Sequence, residues 1–372
     1  MTTNTSFQKQ RSHRSDPVAC LLLNNLQLNF WGAGLLSIAI SVSLALIVAW
    51  ISQTLWSSNG STGLLQDRFP WILIFIINPI VIGYYLWSFQ AIDTVIYSLE
   101  ESDVLEINET EIGEILRRYY YLRWRKYVAI VSAACFSFFV FVTRFGLKDT
   151  WTSSAPLPIL ATTVATFMVV YMGSMLIINL ITNIWILHQT LGNKKLNVNP
   201  LHPDRCGGLR SLSDYALKTA YLAAVLGLLV GIIEYQFFTR GDWQQYWYVH
   251  LTIPLHLSLA IACFFGPLLA AHSGMRKAKE DLLNEIARQF QVDYEQIHDS
   301  LTGDAEVLKK GTEKIKELRA FYTLTDEFPV WPFDTQTFRR FLITVPAPLI
   351  PVLIAILQKL IETLLKKAGW LS

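Results

Sequence analysis

Residues 31–51 read WGAGLLSIAISVSLALIVAWI. No Asp, Glu, Lys or Arg interrupts them, and the charge-free interval around them extends from Asp16 to Asp67. A helix needs about 20 apolar residues to cross the ~30 Å hydrocarbon core of a bilayer, so this stretch specifies a membrane span. Trp31, Trp50 and Trp56 lie near its ends, where indole rings anchor at the lipid–water interface. A second interval without charge, between Asp149 and Lys194, also exceeds that length.

The whole chain agrees. Its 372 residues are 52% hydrophobic and 16% charged, with a mean hydropathy of +0.34, whereas soluble domains carry roughly 25% charged residues. A soluble globular enzyme, a disordered chain and a nucleic-acid binder are excluded. Lys9, Arg11 and Arg14 precede a short apolar run, Pro17 to Leu23, but Asn24 and Asn25 end it at once, so it is no cleavable signal peptide. Cys20, Cys135, Cys206 and Cys263 show no paired spacing, and no disulfide framework or cofactor is expected.

Six segments read as spans, at about 31–51, 71–89, 127–142, 158–187, 219–238 and 247–272. The second contains Asn78-Pro79, and proline bends a helix by removing a donor and crowding the preceding turn. Trp243, Tyr246, Trp247 and Tyr248 form an aromatic belt between the fifth and sixth. A seventh segment, Phe341 to Gln358, is uncharged but holds Pro346, Pro348 and Pro351, so it reads as a span or as a re-entrant piece. The expected fold is all-α: a polytopic helical membrane bundle of six or seven transmembrane helices with a small helical cytoplasmic cap. Its parts are an N-terminal segment (1–29), a six-helix domain (30–272), a helical hairpin (273–340) and a last span or re-entrant segment with its tail (341–372).

Lys and Arg set the orientation. The N-terminus and the loops after the second and fourth spans hold thirteen, among them Arg117, Arg118, Arg123, Arg125 and Lys126; the loops opposite hold four, Arg68, Arg144, Lys148 and Arg240. The N-terminus is therefore expected in the cytoplasm of a cell (inner) membrane, with residues 274–340 on the same side. There Met275, Leu282, Leu283, Ile286 and Phe290 recur at helical spacing, as do Val307, Leu308, Ile315, Leu318 and Phe321. Asp299, Ser300 and Gly303 separate the two runs, which suits an antiparallel hairpin. The plain reading is a cap packed under the membrane domain; the functional one is a surface for a cytoplasmic protein partner.

The densest local signal is Leu201-His202-Pro203-Asp204-Arg205-Cys206-Gly207-Gly208-Leu209, just before a helix. A glycine pair leading into a helix N-terminus can present backbone N–H groups to an anion, with Arg205 and Arg210 in support. The alternative is a capped turn held by Asp204. His202, Asp204 and Cys206 alone are too few for a metal site. This HPD-x-x-GGL stretch resembles one in a group of bacterial multi-pass membrane proteins with no known activity. Some of those also resemble this chain at Trp331-Pro332-Phe333-Asp334, before a proline-bearing apolar segment. The resemblance implies a shared membrane fold and no activity.

Ionisable and amide side chains within spans are costly and mark candidate sites. Glu234 on the fifth span and His250 and His256 on the sixth are expected at similar depth, with Glu234 in reach of His256 in a proton-responsive pair. Asn179 and Asn183, four residues apart, face the same way and either bind an ion or bridge helices; Asn78 joins them in a polar interior. Gly227 and Gly231 form a small-xxx-small face for packing within the bundle or between copies of the chain. No phosphate loop, H-E-x-x-H, G-x-S-x-G or dinucleotide fingerprint is present. Two functions are expected: a channel or transporter for an ion or small solute, lined by Asn78, Asn179, Asn183, His256 and Glu234, or a membrane-anchored scaffold or sensor acting through residues 274–340. The expected partners are the lipid bilayer, a cytoplasmic protein and a second copy of the chain.

Overall fold

The structure is a computed structural model. It describes residues 16–56, 62–105, 109–146, 150–193, 196–197, 202, 204, 206–240, 250–299, 305–351, 353–354, 357–358 and 361. Asn29 starts the first span: its backbone is extended and its Oδ1 accepts from the Gly32 N–H at 2.7 Å, satisfying one of the free donors of α2 (Phe30–Ile51). At 1.5 Å per residue α2 is about 33 Å long, one hydrocarbon thickness.

The second span begins as α3 (Arg68–Ile72), capped by Asp67, and continues through a π-helical turn, Leu73–Ile77, into α4 (Asn78–Glu101). The turn lies immediately before Asn78-Pro79. A proline there offers no N–H and crowds the carbonyl four residues back, so the chain widens by one residue per turn and then resumes. α4 continues twelve residues past its expected end at 89 because Ile92, Val95, Ile96 and Leu99 are buried.

α5 (Glu109–Tyr120) leads into α6 (Arg123–Gly146), followed by α7 (Pro156–Asn193), α8 (Arg210–Arg240) and α9 (Thr252–Asp299). Among the described residues, six helices are long and apolar enough to cross a membrane, and no strand occurs. Leu35, Phe138 and Leu255 remain 67%, 67% and 70% exposed. Apolar exposure on that scale belongs in lipid, and the chain is an all-α polytopic membrane bundle. α7 occupies its centre, packed on α4, α6 and α9, while α8 lies between α4 and α9.

α8 and α9 are antiparallel. The Thr219 hydroxyl donates to the Cys263 carbonyl at 3.0 Å, Gly227 lies against the His256 ring, and Glu234 meets His250. The last segment runs beside α8 in the same direction. Ser213 donates to the Pro332 carbonyl, Phe341 of α11 (Thr335–Thr344) stacks 4.0 Å from Phe264, and the Pro348 carbonyl approaches Gly231. The stretch from Ser213 to Gly231 is about 27 Å. Phe341–Gln358 is not one regular helix: α11 stops at Thr344 and Ala347–Leu349 is a 3-10 turn among the prolines. Gly227 and Gly231 both serve contacts within the chain.

Beyond His272, α9 leaves the bundle and pairs with α10 (Ala305–Asp326). Lys279 donates to the Asp326 carbonyl, Lys314 to Asp293 Oδ1 at 2.8 Å, and Gly311 lies against Ile297. These contacts define one antiparallel register. Among the described residues α10 packs chiefly on α9. The hairpin is therefore an arm that continues α9 beyond the bundle, with Leu308, Ile315 and Leu318 half-buried along α10. The turn at Ser300 and Gly303, the aromatic belt at 243–248, the basic residues Lys9, Arg11, Arg14, Lys194 and Lys195, and Arg205 lie outside the described residues.

Candidate functional site

Polar side chains within the bundle form two layers. The first lies at the end from which the arm projects. Asn179 Nδ2 donates to Ser88 Oγ at 2.8 Å, and its Oδ1 accepts from the Arg125 guanidinium. Asn183 Nδ2 meets the Ser88 carbonyl at 3.2 Å and the Tyr215 hydroxyl at 3.3 Å, while its Oδ1 accepts from Tyr120. Arg125 also donates to the Tyr120 carbonyl at 2.9 Å, and its guanidinium lies 4.7 Å from the centroid of the Tyr120 ring. Five helices, α4 to α8, thus meet in one network in which each asparagine uses both ends of its amide. The four-residue spacing of Asn179 and Asn183 works as a helix bridge. Trp124 and Trp185 stand exposed beside it, and the apolar stretch of α6 begins at Tyr127. The layer therefore marks the edge of the hydrocarbon, not its centre.

Two members of this region had no sequence signal as interior groups. Arg125 reads as one more loop cation in the run Arg123-Trp124-Arg125-Lys126, yet it is 1% exposed. Asp16 reads as the last charge of a tail, yet it is fully buried: it caps α1 (Pro17–Cys20) by accepting from Val18 N–H at 2.8 Å, and it accepts from the Tyr171 hydroxyl at 3.0 Å. Their partners come from remote helices, so only the fold reveals them.

The second layer lies at the far end of α8. Glu234, 1% exposed, has Oε2 at 2.5 Å from His250 Nδ1 and accepts from Thr252 Oγ1 at 3.2 Å. The expected partner was His256, but the antiparallel register places His256 opposite Gly227, two turns nearer the arm. There its ring occupies the space that a side chain at 227 would need, and Nε2 is buried with no hydrogen-bond partner among the described residues.

The layers do not join. Tyr215, in the first, and Glu234, in the second, are 19 residues apart on α8, or about 29 Å. Asn78 is half-buried, ten residues and about 15 Å from Ser88. The space between holds a cavity of about 120 Å³ lined by Val81, Leu180, Leu222, Leu226 and the lipid-facing Ile181, with one hydroxyl, that of Thr219, already donated to the Cys263 carbonyl. A cavity so lined stays dry.

The loop before α8 also has its ligand built in. Asp204 Oδ1 accepts from the Cys206 N–H at 2.8 Å and the Gly208 N–H at 3.1 Å, Oδ2 from the Arg210 N–H at 3.3 Å, and His202 Nδ1 lies 2.7 Å from Oδ1. Gly207 and Gly208 have φ of 67° and 90°, which turn these donors inward. A Cβ on Gly208 would lie 2.3 Å from Val104, so the turn is also packed tightly on the chain after α4. The carboxylate fills the place read as an anion site. Burial raises its pKa, but the N–H groups of Cys206 and Gly208, His202 and the Arg210 N–H outweigh that and hold it below the usual value. Burial and the neighbouring Asp204 push the Cys206 thiol up to about 11, leaving it protonated. Among the described residues no three His, Cys, Asp or Glu side chains are grouped to hold a metal ion.

No protein-family model, curated protein or solved structure matches this chain.

Proposed function

We propose that the protein is a membrane-anchored scaffold or sensor that acts through the α9–α10 arm on the cytoplasmic side of a cell membrane. The arm carries this reading. Gly274 is level with the end of α7, against Leu191 and Leu196, and the 25 residues from Met275 to Asp299 extend about 36 Å beyond it. Along it Phe290, Tyr294 and His298 form a stacked ladder, with ring centroids 6.1 and 6.4 Å apart, and Tyr294 is 55% exposed. Tyr322 and Leu324 are exposed on α10. Exposed aromatic rings on a rigid support are favoured at protein interfaces. The excess of Lys and Arg on the arm side supports the cytoplasmic placement, and the His202–Leu209 loop supports kinship with bacterial multi-pass membrane proteins. A photocrosslinking residue at 294 or 322 is expected to form adducts with a soluble protein in intact cells, while one at Ile181, on the lipid-facing surface, forms none. Adducts absent from both arm positions would count against the scaffold reading.

A second reading, a channel or transporter for an ion or small solute, is favoured by one observation: the buried Glu234–His250 pair near the unpartnered His256 Nε2. It calls for flux of ions or protons into liposomes that falls in Glu234→Gln and His256→Ala variants.

A further inference from the structure

We infer that the cleft between α4 and α8 at the arm end is a binding site for the headgroup of an aminophospholipid, a phosphodiester bearing a primary ammonium. The cleft has a volume of about 310 Å³, at the lower end of small-ligand sites (~300–1,000 Å³).

Its floor is a stacked aromatic pair, Trp87 of α4 on Tyr215 of α8, with ring centroids 5.4 Å apart and planes at 26°. The α4 wall continues with Ala91 and Val95. On the α8 wall Arg210, Asp214 and Lys218 succeed one another at four-residue intervals and point to one side. Opposite charges at that spacing ordinarily pair along a helix. Here none of the three forms an ion pair among the described residues, and all three are exposed at the cleft. Ser211 adds a hydroxyl that is buried at the same cleft without a hydrogen-bond partner. Charged groups without an ion-pair partner thus converge on one hollow, unlike the amides of the layer beside it, each of which is bonded at both ends.

Depth selects a lipid over a soluble ligand. Tyr215 bonds to Asn183 in the layer at the edge of the hydrocarbon, and Arg210 lies five residues further out, about 7.5 Å. That interval matches the polar zone of one leaflet, about 5–8 Å thick. Trp87 and Tyr215 face the first acyl carbons, and Arg210 meets the phosphate; Lys218, about 4.5 Å deeper than Tyr215, runs its side chain back toward the arm end to the same phosphate, and Asp214 between them meets the ammonium. The charge order + − + along α8 fits a headgroup with both signs better than a purely anionic one.

The test uses the full chain in nanodiscs of equal phosphatidylethanolamine, phosphatidylglycerol and phosphatidylcholine content, released into native mass spectrometry. Retained lipid is expected to be enriched in phosphatidylethanolamine. Arg210→Gln/Lys218→Gln is expected to lower that retention on the order of tenfold, and Asp214→Asn to remove the preference among headgroups while phospholipid stays bound. All three side chains are exposed, and an unchanged melting temperature identifies variants that fold. Equal retention in the double variant would overturn the site. Displacement of the lipid by millimolar inorganic phosphate would overturn the lipid assignment in favour of a soluble anion.

Discussion

The two polar layers of the bundle are built on opposite rules. At the arm end, side chains from five helices bond one another, with the Arg125 Nε left unpartnered among the described residues, and the residues that meet are as distant in sequence as Ser88 and Asn183. At the far end, Glu234 is held by His250 and Thr252, neighbours in the same helical hairpin, while His256 keeps one ring nitrogen unused. Bonding across remote elements fixes where helices stand; a pair within one hairpin does not. The first layer is therefore a clamp, and the second is the part of the bundle with chemistry to spare.

Removing Arg125 should break that contrast most severely. Arg125→Met leaves Asn179 Oδ1 and the Tyr120 carbonyl without their donor, and each buried acceptor left unpaired costs about 1–3 kcal/mol. Unfolding of the detergent-solubilised protein should report it as a large drop in midpoint. Gly227→Ala places a Cβ 2.6 Å from His256 Nε2; displacing the ring should cost about 1–3 kcal/mol, whereas Gly192→Ala, with nothing within 4 Å, should leave stability unchanged or raise it. If both alanines behave alike, the tight approach at His256 is wrong.

Much of this architecture was legible in the chain. The charge-free intervals around 31–51 and 150–193 fixed the spans, Asn78-Pro79 announced the irregular turn that appears at Leu73–Ile77, and the Asn179/Asn183 spacing identified a shared face. What could not be read depends on register between distant segments. The order of Glu234, His250 and His256 along the chain does not say which histidine is opposite the carboxylate; the start of α9 decides it. Arg125 looked solvated because its acceptors lie on α5 and α7. The apolar positions of residues 305–326 were visible, but whether they covered the bundle or only α9 depended on the hairpin register set by Asp293–Lys314 and Lys279–Asp326.

Two smaller effects sharpen the comparison. Asn183→Ala should cost about 1–2 kcal/mol, since polar contacts between membrane helices rarely exceed that, and its effect should be non-additive with Arg125→Met because both belong to one network. Asp204→Ala should cost about 1 kcal/mol near neutral pH. Its carboxyl pKa is depressed in the folded state, so the wild-type advantage is full above the unfolded carboxylate range near 3.9 and is lost as pH falls through the lower folded value. Melting temperatures of the two proteins should converge below about pH 4; parallel curves would show that the carboxylate is not held by the turn.

The central claim is that the spans anchor and the arm acts. It is tested most directly by reconstituting the full chain in liposomes and measuring proton and ion flux against protein-free vesicles. The account predicts no flux above the lipid background, since about 29 Å of helix and a dry apolar cavity separate the two polar layers. Flux in the wild-type protein that disappears in Glu234→Gln and His256→Ala would contradict it.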